Sequence, residues 1–457
     1  MSQIKFVIEK SPRIQRLIDH LYANMPEIEA DRAELITESY KETEGLPIVK
    51  RRSAAFRHIM ENIPIVIRPE ELIVGSNSIA PRGCQTFPEY SFEWLEKEYD
   101  TVATREADPF YISPSTVERL KKVYPYWKGK TVSDLAAQSM DPEVLDVFMN
   151  HGIFTVGNYF YNGIGHINVD YAKVLNKGLE GVMEETREAL SKLYIGNGDY
   201  LRRKNFLESV LESCEAVITY ARRYSELALK EAQSCTDSTR KAELLKIAEN
   251  CDRVPAKPAR DFFEACQSFW FIQQLLQCES SGHSISPGRF DQYMYPFFKK
   301  DLDAGRITHE QAQEYLDCIW VKLNDLNKVR DAASAEGFAG YGLFQNLIAG
   351  GQNSEGIDVT NDLSFMCLEA TLHVRLPQPS LSVRIWNGTP DDFLLKAAEV
   401  TREGMGVPAY YNDEVIIPAL VSRGLTIEDA RDYNIIGCVE PQKSGKTWGW
   451  HDAAFFN

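Results

Sequence analysis

The chain has 457 residues, 44% of them hydrophobic and 25% charged, with a formal net charge of −16. Such a length and balance can bury a large core. The acidic surplus argues against a sequence-independent nucleic-acid binder, which needs a basic footprint, and against adhesion to anionic membranes.

The first two-thirds read mainly as helices. Ser11 caps a helix that has Pro12 at its first position and Ile14, Leu17, Ile18 and Leu21 on one face. Amphipathic patterns run over residues 205–233 and 237–250. Residues 262–276, FFEACQSFWFIQQLL, are apolar nearly all round and read as a buried helix. Its end delivers the chain into Ser280-Ser281-Gly282-His283-Ser284. After about residue 340 the pattern changes. Residues 380–386 alternate as a strand, and Thr389-Pro390 opens a helix that runs to Glu403 and ends at Gly404 and Gly406. A short strand at 407–411, a helix at 414–422 and a brief helical turn after Thr426 follow, and Tyr433–Ile436 leads into the next loop. Alternating strands and helices imply parallel pairing with right-handed crossovers, with functional groups where strands end.

Nine cysteines are scattered with no C-x-x-C pair, and the eight histidines form no H-E-x-x-H, so no metal site is expected. An odd set of dispersed thiols fits a reducing cytoplasm. The N-terminal MSQIKFVIEKSPRIQ lacks the apolar region and cleavage site of a secretory signal, and no apolar run is long enough to span a bilayer. The protein is expected to be cytoplasmic.

The most informative stretch is Asn434-Ile435-Ile436-Gly437-Cys438-Val439-Glu440-Pro441. In an extended segment, Cys438 and Glu440 fall on one side, roughly 7 Å apart, and Pro441 biases Glu440 toward extended geometry. A lone cysteine is more often a buried core residue than a reagent. The Gly-Cys-x-Glu-Pro arrangement shifts that balance toward chemistry.

The GCVEP sequence resembles the thiyl-radical cysteine loop of the glycyl radical enzymes. The longer GCVEPQKSGKTWGWHDAAFFN is similar to the cobalamin-independent glycerol and 1,2-propanediol dehydratases of that superfamily, as are RPEELIVGS at 68–76 and SSGHSISPGRFDQY at 280–293. The resemblance implies an α/β fold: a helix-rich part over 1–340 and, over 341–457, the first half of a ten-stranded α/β barrel carrying the Cys438 loop. It implies dehydration of a small vicinal diol, glycerol to 3-hydroxypropanal or propane-1,2-diol to propanal. Cys438 would be the thiyl, Glu440 the base on the first hydroxyl and His166 the acid for the departing one. His283, Ser284, Asp452 and, with less support from the motif, Tyr341 would hold the diol.

The same resemblance implies no cofactor bound within this chain. A glycyl radical on a glycine outside it would be installed by a radical S-adenosylmethionine activating enzyme, in a homodimer when full length. The Arg-Val-x-Gly-Tyr radical loop is missing from the sequence, and the chain stops on an apolar run at 453–456. The expectation is therefore an N-terminal part, without the glycyl radical domain, that is inactive alone. Alternatives stay open. They are a choline- or isethionate-type lyase, a formate acetyltransferase-like enzyme (disfavoured because Val439, not a second cysteine, follows Cys438), a cysteine-nucleophile acyltransferase or hydrolase, and a non-catalytic half-protein. Arg289 and Asp291 read as a structural ion pair.

Overall fold

Capping and periodicity place most helices where the sequence puts them. The computed structural model describes residues 7–151, 153–156, 161–447 and 454–456. Ser11 accepts from the Arg13 N–H at the start of the helix Pro12–Leu21, which buries Ile14, Leu17 and Leu21. The helix Tyr200–Ser234 is longer than its apolar pattern. It packs against Ile48–Asn62 and against Ser238–Arg253, which Asp237 caps. The helix Phe262–Glu279 is buried along its length. Its glutamines are tolerated there because they bond main chain: Gln267 spans the N–H and C=O of Val74, and Gln273 donates to the Ile285 carbonyl. No helix among the described residues is long and apolar enough to cross a membrane.

A three-stranded parallel sheet follows, from Asn346–Gly350 through Ser380–Ile385 to Ala409–Asn412. Its register pairs Leu347 with Leu381 and Val383 with Tyr410. The helices Asp362–Val374 and Asp391–Arg402 make the crossovers. The first two strands are buried, as expected for a parallel sheet covered by helices, and the third is a mostly exposed edge. Thr389 does not cap the second crossover helix. Pro390 occupies the cap position, and the Thr389 hydroxyl accepts from the Trp386 N–H, closing the turn that leaves the strand.

Two expectations need correction. The strand Tyr433–Ile436 does not join the parallel sheet; it pairs antiparallel with Glu440–Lys443. Cys438 therefore sits in a hairpin turn at 437–439 and not in an extended run. Gly437 at φ +58° permits the reversal. Second, Arg289 forms its ion pair with Asp432, while Asp291 accepts from the Gly350 N–H and the Ser364 hydroxyl.

The hairpin is fixed to the sheet by a buried ion pair. Arg384 holds Asp413 at 2.8 Å and donates to the carbonyls of Arg431 and Tyr433, while the Tyr433 hydroxyl donates to Asp413. Tyr433 and Ile435 pack with Ile348, Ile417 and Ala430 in a small apolar cluster beneath it.

Candidate active site

Three stretches of main chain lie side by side and carry the site. The His166 N–H donates to the His283 carbonyl at 2.8 Å, and the Ser286 N–H to the Ile167 carbonyl at 2.9 Å. On its other side, the 283–288 stretch donates from Ser284 to Leu343 at 2.7 Å and from Gly288 to Asn346 at 3.0 Å. The strands touch so closely that a Cβ on Gly165 would lie 1.7 Å from the His283 carbonyl oxygen. Only glycine allows this approach.

These ribs bring together His166, His283 and Ser284, which are 2%, 3% and 0% exposed. The imidazole rings meet edge to face at 4.8 Å between centroids. His166 and Ser284 both hold left-handed backbone, φ +51° and +64°, an unusual state for residues with side chains. The hairpin supplies the rest. Glu440 Oε1 lies 3.4 Å from His166 Nε2, and its other oxygen accepts from the Val439 N–H at 3.0 Å. A Cβ on Gly437 would stand 2.7 Å from Ser284 Oγ and 3.1 Å from the Glu440 carboxylate, so all three share one small space. Cys438, at the turn, is exposed.

Electrostatics sharpen the contrast between groups. Burial, first, and then the nearby Arg330 guanidinium hold His283 well below the ordinary imidazole range, so it is neutral at physiological pH. Seven thiols are buried, and burial pushes their acidities away from thiolate formation, Cys214 and Cys278 to about 11. Cys438 alone is in the exposed class. Among the described residues, Ser284 Oγ is a buried hydroxyl with no hydrogen-bond partner, a state that costs about 1–3 kcal/mol unless something bonds to it. Among the described residues, no cluster of three or more His, Cys, Asp or Glu could hold a metal ion.

Tyr341 is placed elsewhere. Its hydroxyl donates to the Pro109 carbonyl and its ring packs on Phe110 and beneath Arg82. Asp452 lies outside the described residues. Sequence reasoning missed Ser286, Asn346 and Tyr411, which bond the backbone of the Cys438 turn. The spacing Ser284-x-Ser286, on one face of an extended run, was the available signal for the first.

A helix-rich α/β fold thus sets a carboxylate beside one of two touching, buried imidazoles, next to a turn that carries an exposed thiol. The pyruvate formate lyase-like family model matches residues 7–457, and the chain belongs to that family of glycyl radical enzymes. A solved structure from work on 1,2-propanediol dehydration in Roseburia inulinivorans is 65% identical with a TM-score of 0.97, covering 99% of this chain and 56% of that one. The glycerol-bound B12-independent glycerol dehydratase from Clostridium butyricum is 56% identical with a TM-score of 0.96, covering 99% and 57%. The probable dehydratase YbiW of Escherichia coli K12 is 37% identical over 429 residues, 93% of this chain and 53% of its own length. The chain thus spans about half the length of the relatives it matches.

Proposed function

We propose that this chain carries the thiyl and diol-binding residues of a glycyl-radical-dependent dehydratase acting on a small vicinal diol, glycerol or propane-1,2-diol. One observation carries the reading. The hydroxyl of Ser284 is buried and, among the described residues, unpartnered beside Glu440, His166 and neutral His283, which leaves donors and acceptors for an uncharged polyol. The names of the two structural relatives, at 65% and 56% identity, point the same way. A neutral His283 gives little reason for a permanent anion such as a sulfonate.

In this reading 341–457 is the first half of the family's barrel and 1–340 its helical part. The radical belongs on a glycine outside this sequence and needs an activating enzyme of radical S-adenosylmethionine type. The glycyl radical supplies one hydrogen-atom abstraction, which makes the Cys438 sulfur reactive. Cys438 then takes a hydrogen atom from the carbon bearing the first hydroxyl. Glu440 removes the proton from that hydroxyl, which has become acidic next to the radical carbon. The neighbouring C–O bond breaks, and His166 gives its proton to the departing hydroxide. Cys438 returns its hydrogen atom to the second carbon, leaving aldehyde and water. The 3.4 Å between Glu440 and His166 supports a closed proton account, because the proton taken by one can resupply the other. His283 and Ser284 hold the hydroxyls, and Asp452 is proposed to anchor them; Tyr341, bonded to Pro109, takes no part in this reading.

The test is an anaerobic assay of the activated enzyme on both diols, following aldehyde. Aldehyde from either diol supports the reading. No aldehyde from either one, with the glycyl radical confirmed by electron paramagnetic resonance, removes it.

A further inference from the structure

The turn that carries Cys438 is held by side chains from three other parts of the fold. The Gly437 N–H donates to Ser286 Oγ at 3.0 Å. The Gly437 carbonyl accepts from Asn346 Nδ2 at 3.0 Å, and the Cys438 carbonyl from the Tyr411 hydroxyl at 2.6 Å. The Val439 N–H donates to the Glu440 carboxylate. Both peptide units attached to the Cys438 Cα are therefore tied down, one through the Gly437 carbonyl and the other through the Cys438 carbonyl and the Val439 N–H.

Each tie is itself anchored. Asn346 lies in the first buried strand, and its amide also donates to Ser382. Ser286 is fully buried between the 163–168 stretch and the sheet, and its hydroxyl accepts from the Asn346 N–H as well. Tyr411 sits near the end of the edge strand. Its phenol is pushed up to about 12, chiefly by burial and further by the neighbouring Cys438 and Glu440 side chains, so it stays a donor. With both flanking peptide planes fixed, φ and ψ of Cys438 are fixed too. The sulfur keeps one freedom, rotation about χ1.

We propose that Ser286, Asn346 and Tyr411 are positioning residues that make the Cys438 backbone a fixed pivot, so that hydrogen-atom relay proceeds by rotating the sulfur about one bond. This rests on the dehydratase reading above. A relay must face two partners in turn, and a pivot that drifted would lose reach to one as it gained the other. Misplacement by about 1 Å is enough to cost on the order of 10² in rate.

The test is Tyr411→Phe in the activated enzyme, which keeps the ring and removes one bond. The expected result is kcat about tenfold lower with KM within about twofold, from loss of a single neutral hydrogen bond. The deuterium isotope effect on a carbon-deuterated diol should rise, and radical content should stay at the wild-type level. Ser286→Ala should do the same, with Ser286→Thr restoring activity. Unchanged kcat and isotope effect in Tyr411→Phe, or a raised KM with kcat intact, overturns the proposal. Amide hydrogen exchange separates it from the dehydratase reading. If wild type makes no aldehyde, the dehydratase reading falls alone, and faster exchange confined to 434–443 in Tyr411→Phe still supports the pivot. Unchanged exchange there removes it.

Discussion

Gly437→Ala tests how tightly the hairpin and the Ser284 rib share one space. Alanine at φ +58° adopts a left-handed backbone that costs roughly 1–2 kcal/mol. Its Cβ would also sit 2.7 Å from Ser284 Oγ, 2.9 Å from Ser284 Cβ and 3.1 Å from the Glu440 carboxylate. Relieving that overlap in a buried site adds about 1–3 kcal/mol, for a total near 2–5 kcal/mol. Gly404 provides the control, at φ +75° with no heavy atom within 4 Å of an added Cβ. Gly404→Ala should show the backbone cost alone, and the difference between the variants measures the overlap. Equilibrium urea unfolding of each variant gives the stabilities. In the activated enzyme, displacing Ser284 and Glu440 together should slow aldehyde formation by roughly 10–100-fold, while Gly404→Ala leaves it near normal. If the two variants agree within about 0.5 kcal/mol and Gly437→Ala turns over normally, the shared-space reasoning is wrong.

Cys438→Ser should abolish turnover while circular dichroism and unfolding stay at wild-type values, because an alcohol O–H is too strong to serve as the relay; residual dehydration in a radical-loaded variant would remove Cys438 from the mechanism. Glu440→Gln keeps the shape and removes the proposed base, so kcat should fall about 10²–10⁴-fold with substrate still bound, as steady-state kinetics and a binding titration would show. His373 supplies a pH prediction away from the site. Burial opposes its charge, but Asp317, 2.8 Å from Nδ1, and Glu369, 3.4 Å from Nε2, raise it to about 9, and Nε2 also meets the Ile8 carbonyl. A folded value above the unfolded one stabilises fully below about pH 6.5, and that contribution is lost as pH rises through 9, roughly 3 kcal/mol at most. Melting temperature should therefore fall over that window in wild type and fall less in His373→Gln; equal slopes would contradict the assignment.

The helices were legible because their signals are local. Ser11 before Pro12, Asp237 before Ser238 and the apolar run from Phe262 each declare an element from a few neighbouring residues. The partner of Tyr433–Ile436 was not legible, since a four-residue apolar strand carries no mark of whether it pairs parallel or antiparallel. That choice was settled by Gly437 turning left-handed and by the Arg384–Asp413 pair reaching Tyr433 from elsewhere in the chain. His166 and His283 could be named but not joined by spacing. They lie 117 positions apart in the sequence and meet through one main-chain hydrogen bond between two irregular stretches. Ser286, Asn346 and Tyr411 escaped because a loop serine and an asparagine and a tyrosine in strands are ordinary until their partners are known.

The three ribs at 163–168, 281–288 and 343–348 are joined through main-chain atoms, so what they display is separable from how they are joined. Exchanging a side chain at 283 or 284 changes what the pocket recognises and leaves the frame where it was. Changing a length is another matter. One residue inserted between His283 and Ser286 would turn every later side chain to the opposite face and break the bonds to Ile167, Leu343 and Asn346 together. For anyone redesigning this pocket, residue identities are the adjustable part and loop lengths are the fixed one.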